Sequence, residues 1–204
     1  MIQFFSGDET KMNTQKAFND AEYLKLTNDI LTNEEFKKLQ WESHHMIGSR
    51  YSHNISVSYT SYKIAKALNL DVRSATRAAL LHDFYLDSDG EGFKGMLEEL
   101  DGTRSQHKTL WARVKGIRFK QVAESMNILL AHPYIASERA KKIFNITEKE
   151  QNIIRSHMWP IGLEVPKHRE GWIVTLVDNA YSMYEFGIKY RKVAAMITLM
   201  LIIW

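Results

Sequence analysis

The sequence predicts an all-α protein that forms a single helical domain. Of its 204 residues, 45% are hydrophobic and 25% are charged, which is typical of a soluble globular protein. Only 3 prolines and 10 glycines occur, and this scarcity disfavours a turn-rich β-sandwich and favours long helices. No repeat, low-complexity tract or Gly/Ser linker divides the chain. We therefore expect one domain at 41–188, with a helical extension at 1–40 and an apolar helix at 189–204.

Three helices are predicted in the first half of the chain. The first runs from Asn33 to Ile47, with two glutamates in its first turn and Trp41 among its apolar positions. The second runs from Ser52 to Leu70, and its inward stripe advances by three or four residues at a time. The stripe consists of His53, Val57, Thr60, Ile64 and Leu68. Asp71 can cap a third helix that ends at His82-Asp83.

The helical pattern weakens from Asp87 to Phe119, where turn-forming and basic residues predict an insertion or a lid. Beyond it, four helices are expected. They are Gln121–Ala131, Pro133–Phe144, a helix that is opened by the capping-box sequence Thr147–Glu150 and ends near His157, and Glu170–Phe186. The inward stripe of the last helix consists of Ile173, Leu176, Val177 and Ala180.

The net charge and the sequences of the two chain ends indicate which partners and locations to expect. The balance of 27 basic against 24 acidic residues gives a net charge of +3, too small for a nucleic-acid-binding signature, so we expect no nucleic-acid partner. The first residues lack the basic and apolar regions of a signal peptide, and a cytoplasmic location is expected. Val193–Trp204 is apolar, but as a helix it reaches only about 18 Å and cannot span a hydrocarbon core of about 30 Å. We expect this segment to dock on the core or on a second copy of the chain, as a homodimer, with a weak membrane contact or part of a longer membrane segment as the alternatives.

Several ionisable residues stand in apolar surroundings, above all Asp178 after Thr175-Leu176-Val177. Burial of a carboxylate without a partner costs several kcal/mol, so such groups are normally hydrogen-bonded, paired with an arginine or bound to a metal. Six of them fall at ends or on apolar faces of five predicted helices, and antiparallel packing could bring them together. They are His53, His82, Asp83, His132, His157 and Asp178. With no cysteine in the chain, four imidazoles and two carboxylates favour Mn, Fe, Ni or Zn over Ca or Mg.

The pattern H…HD…D resembles that of the HD superfamily of metal-dependent phosphohydrolases, and more closely its bacterial HDIG-type members. The resemblance covers about Trp41 to Glu185 and rests on Ser52-His53-Asn54, on Ala78 to Phe84 with its His82-Asp83 pair, and on Val174 to Asp178. It implies that His53, His82, Asp83 and Asp178 hold a first metal ion. It also implies that His132 and His157 complete a second site, with Asp83 bridging the two ions.

Two subgroup signatures of that superfamily are absent. The Glu-Asp pair that follows the HD dipeptide in guanosine-tetraphosphate hydrolases is replaced here by Phe84-Tyr85-Leu86-Asp87, which disfavours alarmone hydrolysis. The Gly-Tyr-Pro signature of the cyclic-di-GMP subgroup is absent too, although His157 to Pro160 lies in a comparable place.

The resemblance implies hydrolysis of a small phosphoester, such as a nucleotide, by a phosphomonoesterase or phosphodiesterase with one or two metal ions. Asp83 would help to orient the attacking water, and Arg50 is the first candidate for phosphate contact, since a guanidinium binds two oxygens. Further candidate substrate contacts are Lys115, Arg118 and Lys167. The aromatic residues Tyr51, Phe84, Tyr85 and Trp159 flank the candidate ligands and would either stack on a base or belong to the core.

Two alternatives stay open. A minority of HD-fold proteins have four histidines and two aspartates but carry a mixed-valence di-iron centre that oxidises C–H bonds with O₂. The other alternative is a non-enzymatic module that senses a nucleotide.

Overall fold

The computed structural model describes residues 7–44, 48–86, 117–162, 164–184 and 187. As predicted, the fold is all-α. The helices are α1 (Gly7–Phe18), α2 (Ala21–Leu31), α3 (Glu34–Lys37), a 3₁₀ turn (Lys38–Gln40), α4 (Arg50–Ala67), α5 (Val72–Leu81), α6 (Ile117–Phe144), α7 (Glu148–Ser156) and α8 (169–184). Two short strands, β1 (Ser43–His44) and β2 (Gly48–Ser49), pair in antiparallel fashion. Most of the predicted insertion and the whole segment 189–204 lie outside the described residues.

Helix α4 is the centre of the fold. It packs against α1 on one side and α5 on another, so its buried positions extend around most of its circumference. The predicted single stripe is therefore too narrow: His53 and Val57 are buried as expected, but Leu68 is exposed just past the helix end. The chain reverses there through Asn69, whose φ of 51° lies in the left-handed region.

The N-terminal helices share this core. Helix α1 packs on α4, α2 packs on α5, and one or more apolar side chains of α2, α3 and the 3₁₀ turn are fully buried with those of α5 and α7. The residues that carry this contact are Tyr23, Ile30, Phe36, Leu39, Leu80 and Ile153. One hydrophobic cluster thus joins residues from both sides of position 41.

The helix predicted over Asn33–Ile47 is wrong after its first turns. Asn33 caps α3 as expected, with its side chain accepting from the Glu35 N–H, but the chain leaves the helix after the 3₁₀ turn. The backbone then extends to pair β1 with β2, and the Glu42 carbonyl accepts from the Arg50 N–H at 2.9 Å. This tertiary pairing overrides a modest helix preference, and it leaves Trp41 88% exposed instead of in the core.

The predicted break at His132-Pro133 is also wrong, because α6 runs continuously through Pro133. A proline removes one main-chain donor from a helix and its ring crowds the carbonyl four residues earlier, so it is tolerated only where packing holds the turns around it. Here Ala131, His132 and Ala136 are buried on the inner face, which holds both sides of the proline in place.

Helix α8 forms where predicted, but its inner face is turned from the predicted one. Ile173 and Val177 are buried as expected, whereas Leu176 is 65% exposed and Ala180 is exposed. The inner face is instead shared with polar groups, and these include Asp178. A stripe assigned from apolar residues alone misses this rotation, because the buried polar partners are also part of the face.

A charged cluster ties the starts of three helices together. Asp71 caps α5 as predicted, and its main-chain N–H donates to Glu170 Oε1 at the start of α8 at 2.9 Å. Lys149, in the first turn of α7, lies 3.1 Å from both Asp71 Oδ2 and Glu170 Oε1. The predicted capping box at Thr147 and Glu150 is present at the same end of α7. Helices α5, α7 and α8 therefore begin at one common point.

No helix within the described part of the chain has both the length and the apolar character that crossing a membrane requires.

Candidate metal centre

Six buried side chains from five helices meet in the interior, and they are the six that the sequence pattern singles out. His53 lies in the second turn of α4, His132 in the middle of α6 and Asp178 in α8, while His82 and His157 directly follow the last residues of α5 and α7. Asp83 comes next to His82. Each of the six is at most 6% exposed.

His82 and His157 are held in the same way. The Nδ1 of each ring lies 2.7 Å from the carbonyl oxygen three residues earlier, that of Ala79 for His82 and that of Ile154 for His157. A carbonyl can only accept, so each Nδ1 carries the proton and donates. Each Nε2 is therefore the ring nitrogen left to bind a metal, and the two rings meet edge-on, with centroids 4.9 Å apart and an interplanar angle of 81°.

His53, His82 and Asp178 form the first part of the centre, here called the Asp178 group. Asp178 Oδ1 lies 3.0 Å from His53 Nε2 and 3.4 Å from His82 Nε2. One carboxylate oxygen thus faces two imidazole nitrogens. Tyr181, one turn after Asp178, places its ring edge-on to His53 at 6.3 Å, and its hydroxyl is bonded to Asn13 and Thr60.

His132 and His157 form the second part, here called the His132 group. Their Nε2 atoms lie 3.1 Å apart, and Asp83 Oδ1 is 3.3 Å from the first and 3.6 Å from the second. The other oxygen of Asp83, Oδ2, lies 3.8 Å from His82 Nε2. Asp83 is therefore placed between the two groups, with one oxygen toward each.

The electrostatics fit a site that takes up cations. Burial acts to raise the pKa of Asp178, but the hydrogen bond with His53 and the charge of the nearby His82 ring outweigh it and hold that pKa well below the usual range. Burial lowers the pKa of His82, yet the Asp83 and Asp178 carboxylates overcome this and raise it. For His157, burial and the neighbouring imidazoles lower the pKa to about 4, so its ring is neutral near pH 7.

The residues present fit a metal. Three sets of ligand atoms each lie within 4.8 Å of one another: His53, His82 and Asp83; His82, His157 and Asp178; and Asp83, His132 and His157. His82 Nε2 is fully buried and has no hydrogen-bond partner among the described residues, an arrangement that is costly unless a ligand completes it. A donor set of imidazole nitrogens and carboxylate oxygens suits divalent transition metals.

The structure places Arg50 beside the centre but engages its side chain with protein groups. Arg50 is 4% exposed, and its NH1 donates to the Tyr85 carbonyl at 2.9 Å and lies 3.5 Å from Glu42 Oε2. Its guanidinium carbon is 3.9 Å from the centre of the Tyr85 ring. The candidate phosphate contact thus has a carbonyl, a carboxylate and an aromatic ring against it.

The structure describes fewer contacts for the other three candidate substrate residues. The Lys167 side chain is exposed, and its main-chain N–H donates to Asn152 Oδ1 on α7 at 3.1 Å. Arg118 lies in the first turn of α6, and Lys115 lies outside the described residues.

The four flanking aromatic residues differ in their surroundings. Phe84 is fully buried in the core, Tyr51 packs on Phe36, and Trp159 packs on Trp172. Tyr85 alone among these four lies against a candidate ligand, with its ring 5.2 Å from that of His132.

Two features of the centre escaped the sequence reasoning. One is the pair of carbonyls, of Ala79 and Ile154, that orient the histidines; a histidine immediately after a helix end, with carbonyls free three residues earlier, is a signal that could have found them. The other is Tyr181, which lies three residues after Asp178 and hence on the same helix face.

A family model described as HD domain matches residues 50–183, about two thirds of the chain and a range that contains all six residues of the centre. The comparisons with curated proteins and with solved structures found no match. The match is to the HD domain at large, so the narrower HDIG assignment stays a prediction.

Proposed function

Since this chain belongs to the HD domain family, we propose that it is a phosphohydrolase whose buried histidines and aspartates hold two divalent transition-metal ions. Family membership supports metal-dependent hydrolysis as the reaction class. The two-ion centre and the class of substrate are our additions to it.

The position of Asp83 carries the two-ion proposal. Its Oδ1 faces the His132 group at 3.3 and 3.6 Å, and its Oδ2 faces His82 at 3.8 Å. A carboxylate with one oxygen toward each of two ligand groups is the expected bridge between two ions. In this proposal the Asp178 group and Asp83 hold the first ion, and the His132 group and Asp83 hold the second.

Divalent ions bound in such a centre lower the pKa of water and neutralise phosphoryl oxygens. The chain offers the Nε2 atoms of His82 and His157 to the ions, because carbonyl oxygens hold the Nδ1 protons of both rings. Two carboxylates offset only part of the charge of two divalent ions, so the loaded centre keeps a net positive charge. That charge favours an anionic substrate even though the whole chain carries only +3.

We propose a small phosphoester, with nucleotides as the first class to test. Lys167 is the proposed phosphate contact near α7. Its main-chain N–H donates to Asn152 on α7, the helix that leads to His157, and its side chain is exposed. Arg118, in the first turn of α6, and Lys115, which lies outside the described residues, are the other proposed phosphate contacts.

The test is phosphate release by the purified protein loaded with Mn²⁺, across nucleoside monophosphates, cyclic nucleotides, dinucleotides and a chromogenic phosphate ester. We expect the wild type to hydrolyse at least one of these esters and His82→Ala to hydrolyse none. His168→Ala is the matched control, since His168 is half-buried and outside the centre, and we expect it to retain wild-type rates.

Phosphate release with Mn²⁺ in the absence of O₂ would exclude the di-iron oxygenase alternative. Absence of hydrolysis across the panel, together with O₂ consumption by the iron-loaded protein, would contradict the proposed function. Tight nucleotide binding with no turnover under either metal would favour the sensing module instead.

A further inference from the structure

The segment that follows Asp83 is fixed by short-range main-chain hydrogen bonds. Directly after α5 the chain makes a tight turn, in which the Tyr85 N–H donates to the Asp83 carbonyl at 2.9 Å and the Phe84 N–H donates to the Leu81 carbonyl at 3.1 Å. This turn brings Tyr85 back beside the aspartate. The orientation of the Tyr85 side chain is thus coupled to the backbone that carries the bridging carboxylate.

The Tyr85 ring contacts groups from two other helices. The Arg50 guanidinium, from the first turn of α4, lies over the ring at 3.9 Å and also donates to the Tyr85 carbonyl. The His132 ring, from α6, lies 5.2 Å from the Tyr85 ring at an interplanar angle of 34°. Tyr85 therefore joins the start of the helix that carries His53 to the histidine that faces Asp83.

Arg50 is itself held from a second direction. Its NH1 lies 3.5 Å from Glu42 Oε2, and its main-chain N–H donates to the Glu42 carbonyl at 2.9 Å. A guanidinium is rigid and planar, so an arginine loses little conformational entropy when a carbonyl, a carboxylate and an aromatic face all contact it. A lysine in its place would keep the charge but would not reproduce the flat contact with the ring.

We propose that Arg50 and Tyr85 are positioning residues for the second ion. The guanidinium holds the Tyr85 ring in place, and the ring holds the His132 imidazole beside Asp83. This inference rests on the proposed two-ion centre and assigns Arg50 a different task from phosphate contact. It explains why a charged residue three positions before His53 is buried against protein groups.

The test is a titration of metal-free protein with Mn²⁺ by calorimetry, with inorganic phosphate inhibition measured in parallel. We expect Tyr85→Leu to weaken binding of the second ion by about tenfold or more, as changes around metal ligands commonly do, and to leave the first ion within about twofold. Arg50→Lys should act in the same direction. The double variant should lose no more affinity than Tyr85→Leu alone, because Arg50 acts through the ring.

Two variants control for general damage. Tyr85→Phe keeps the ring and should restore the second ion to near wild-type affinity. Tyr134 is an exposed aromatic residue two positions from His132, and its ring contacts Arg155. Tyr134→Leu should therefore leave the affinity for both ions unchanged. Thermal unfolding of each metal-free variant identifies any that fail to fold.

Two results would overturn the inference. If wild type and Tyr85→Leu bind two ions with equal affinity, the positioning role is wrong while the two-ion proposal stands; phosphate inhibition weakened only in Arg50→Lys would then assign Arg50 to the substrate. If the wild type binds a single ion, the two-ion proposal fails and this inference fails with it.

Discussion

At the scale of single residues, the centre depends on how each ligand is oriented. His82 and His157 are fixed by carbonyl oxygens one turn back in the chain, which settles their tautomers without help from any other side chain. Asp83 and Asp178 differ from each other in what their oxygens face. One Asp178 oxygen faces two histidines of the same group, whereas the Asp83 oxygens face separate groups.

The residue types of the centre could be predicted from sequence, because carboxylates and imidazoles among apolar residues need a partner. His53, His82, Asp83 and Asp178 follow a pattern with recognisable flanking residues. The role of Arg50 could not be deduced in the same way. A guanidinium near a phosphate and a guanidinium on a tyrosine ring look identical in sequence, and the tight turn at Asp83 that brings Tyr85 to Arg50 leaves no sequence signal of its own.

Asp178→Ala should lower both metal content and metal-linked stability. Loss of this carboxylate removes the anion that faces His53 and His82, so the first ion should bind weakly or not at all. Ligand binding stabilises the folded state by about 2.7 kcal/mol when the free ion is at 100 times its dissociation constant. Because the second ion keeps its own ligands, we expect Mn²⁺ to raise the melting temperature of the wild type by more than that of Asp178→Ala.

Metal analysis after dialysis and thermal unfolding with and without Mn²⁺ provide the measurements. Asn179→Ala, the next residue on the same helix and only half-buried, is the control and should behave as the wild type. Unchanged metal content in Asp178→Ala would remove Asp178 from the centre.

At the scale of elements, helix starts were predicted better than helix faces and interruptions. Asp71 and Thr147 act as caps because their side chains accept main-chain N–H groups within the same few residues, so the signal is local. Passage of α6 through Pro133 and the rotation of α8 both depend on what packs against these helices. Such contacts are made by residues distant in sequence, and periodicity alone does not reveal them.

Glu170→Gln tests whether the charged cluster holds α5, α7 and α8 together. Burial acts to raise the pKa of Glu170, but the Asp71 N–H and Lys149 outweigh it and lower the pKa. A carboxyl whose pKa is lower in the folded state contributes stability above its unfolded pKa of about 4.3, and that stability is lost as the pH falls through the folded pKa. We expect the variant to lose about 1–3 kcal/mol of unfolding free energy at pH 7 and the difference from wild type to shrink toward pH 3.

Urea unfolding at pH 7 and at pH 3 is the measurement. Glu148→Gln makes the same chemical change at an exposed position in the first turn of α7, and it should change stability by less than about 0.5 kcal/mol. Equal stability of Glu170→Gln and the wild type at pH 7 would mean that the cluster contributes nothing.

At the scale of the whole molecule, one core connects the N-terminal helices to those that carry the metal centre. Tyr23, Ile30, Phe36 and Leu39 are fully buried in the same cluster as Leu81, which directly precedes His82, and Ile154, which lies three residues before His157. The predicted division at residue 41 follows the range of the family resemblance, which does not record which surfaces are buried together. The shared cluster predicts cooperative unfolding of both parts.

Ile30→Ala should therefore destabilise the metal centre as well as α2. Truncation of a fully buried isoleucine costs about 2–5 kcal/mol, and in one cooperative unit that loss applies to every helix. We expect helicity, followed by circular dichroism, and Mn²⁺ release to show the same lowered midpoint in urea. Leu68→Ala, at an exposed position, should leave both midpoints in place; an unchanged Mn²⁺ midpoint in Ile30→Ala would show that residues 1–40 fold as a separate unit.

Helices α5 and α7 start at the same charged cluster, and each ends at a histidine whose ring contacts the other edge-on. The two helices therefore lie side by side and run in the same direction. They have 10 and 9 residues, which at about 1.5 Å per residue makes them rods of nearly equal length. One residue added to either rod would shift its histidine by about 1.5 Å along the axis and rotate it by about 100°. The number of residues between each cap and its histidine thus determines the geometry of the centre. A one-residue insertion in α5 or α7 should disrupt the centre even where it leaves the fold intact.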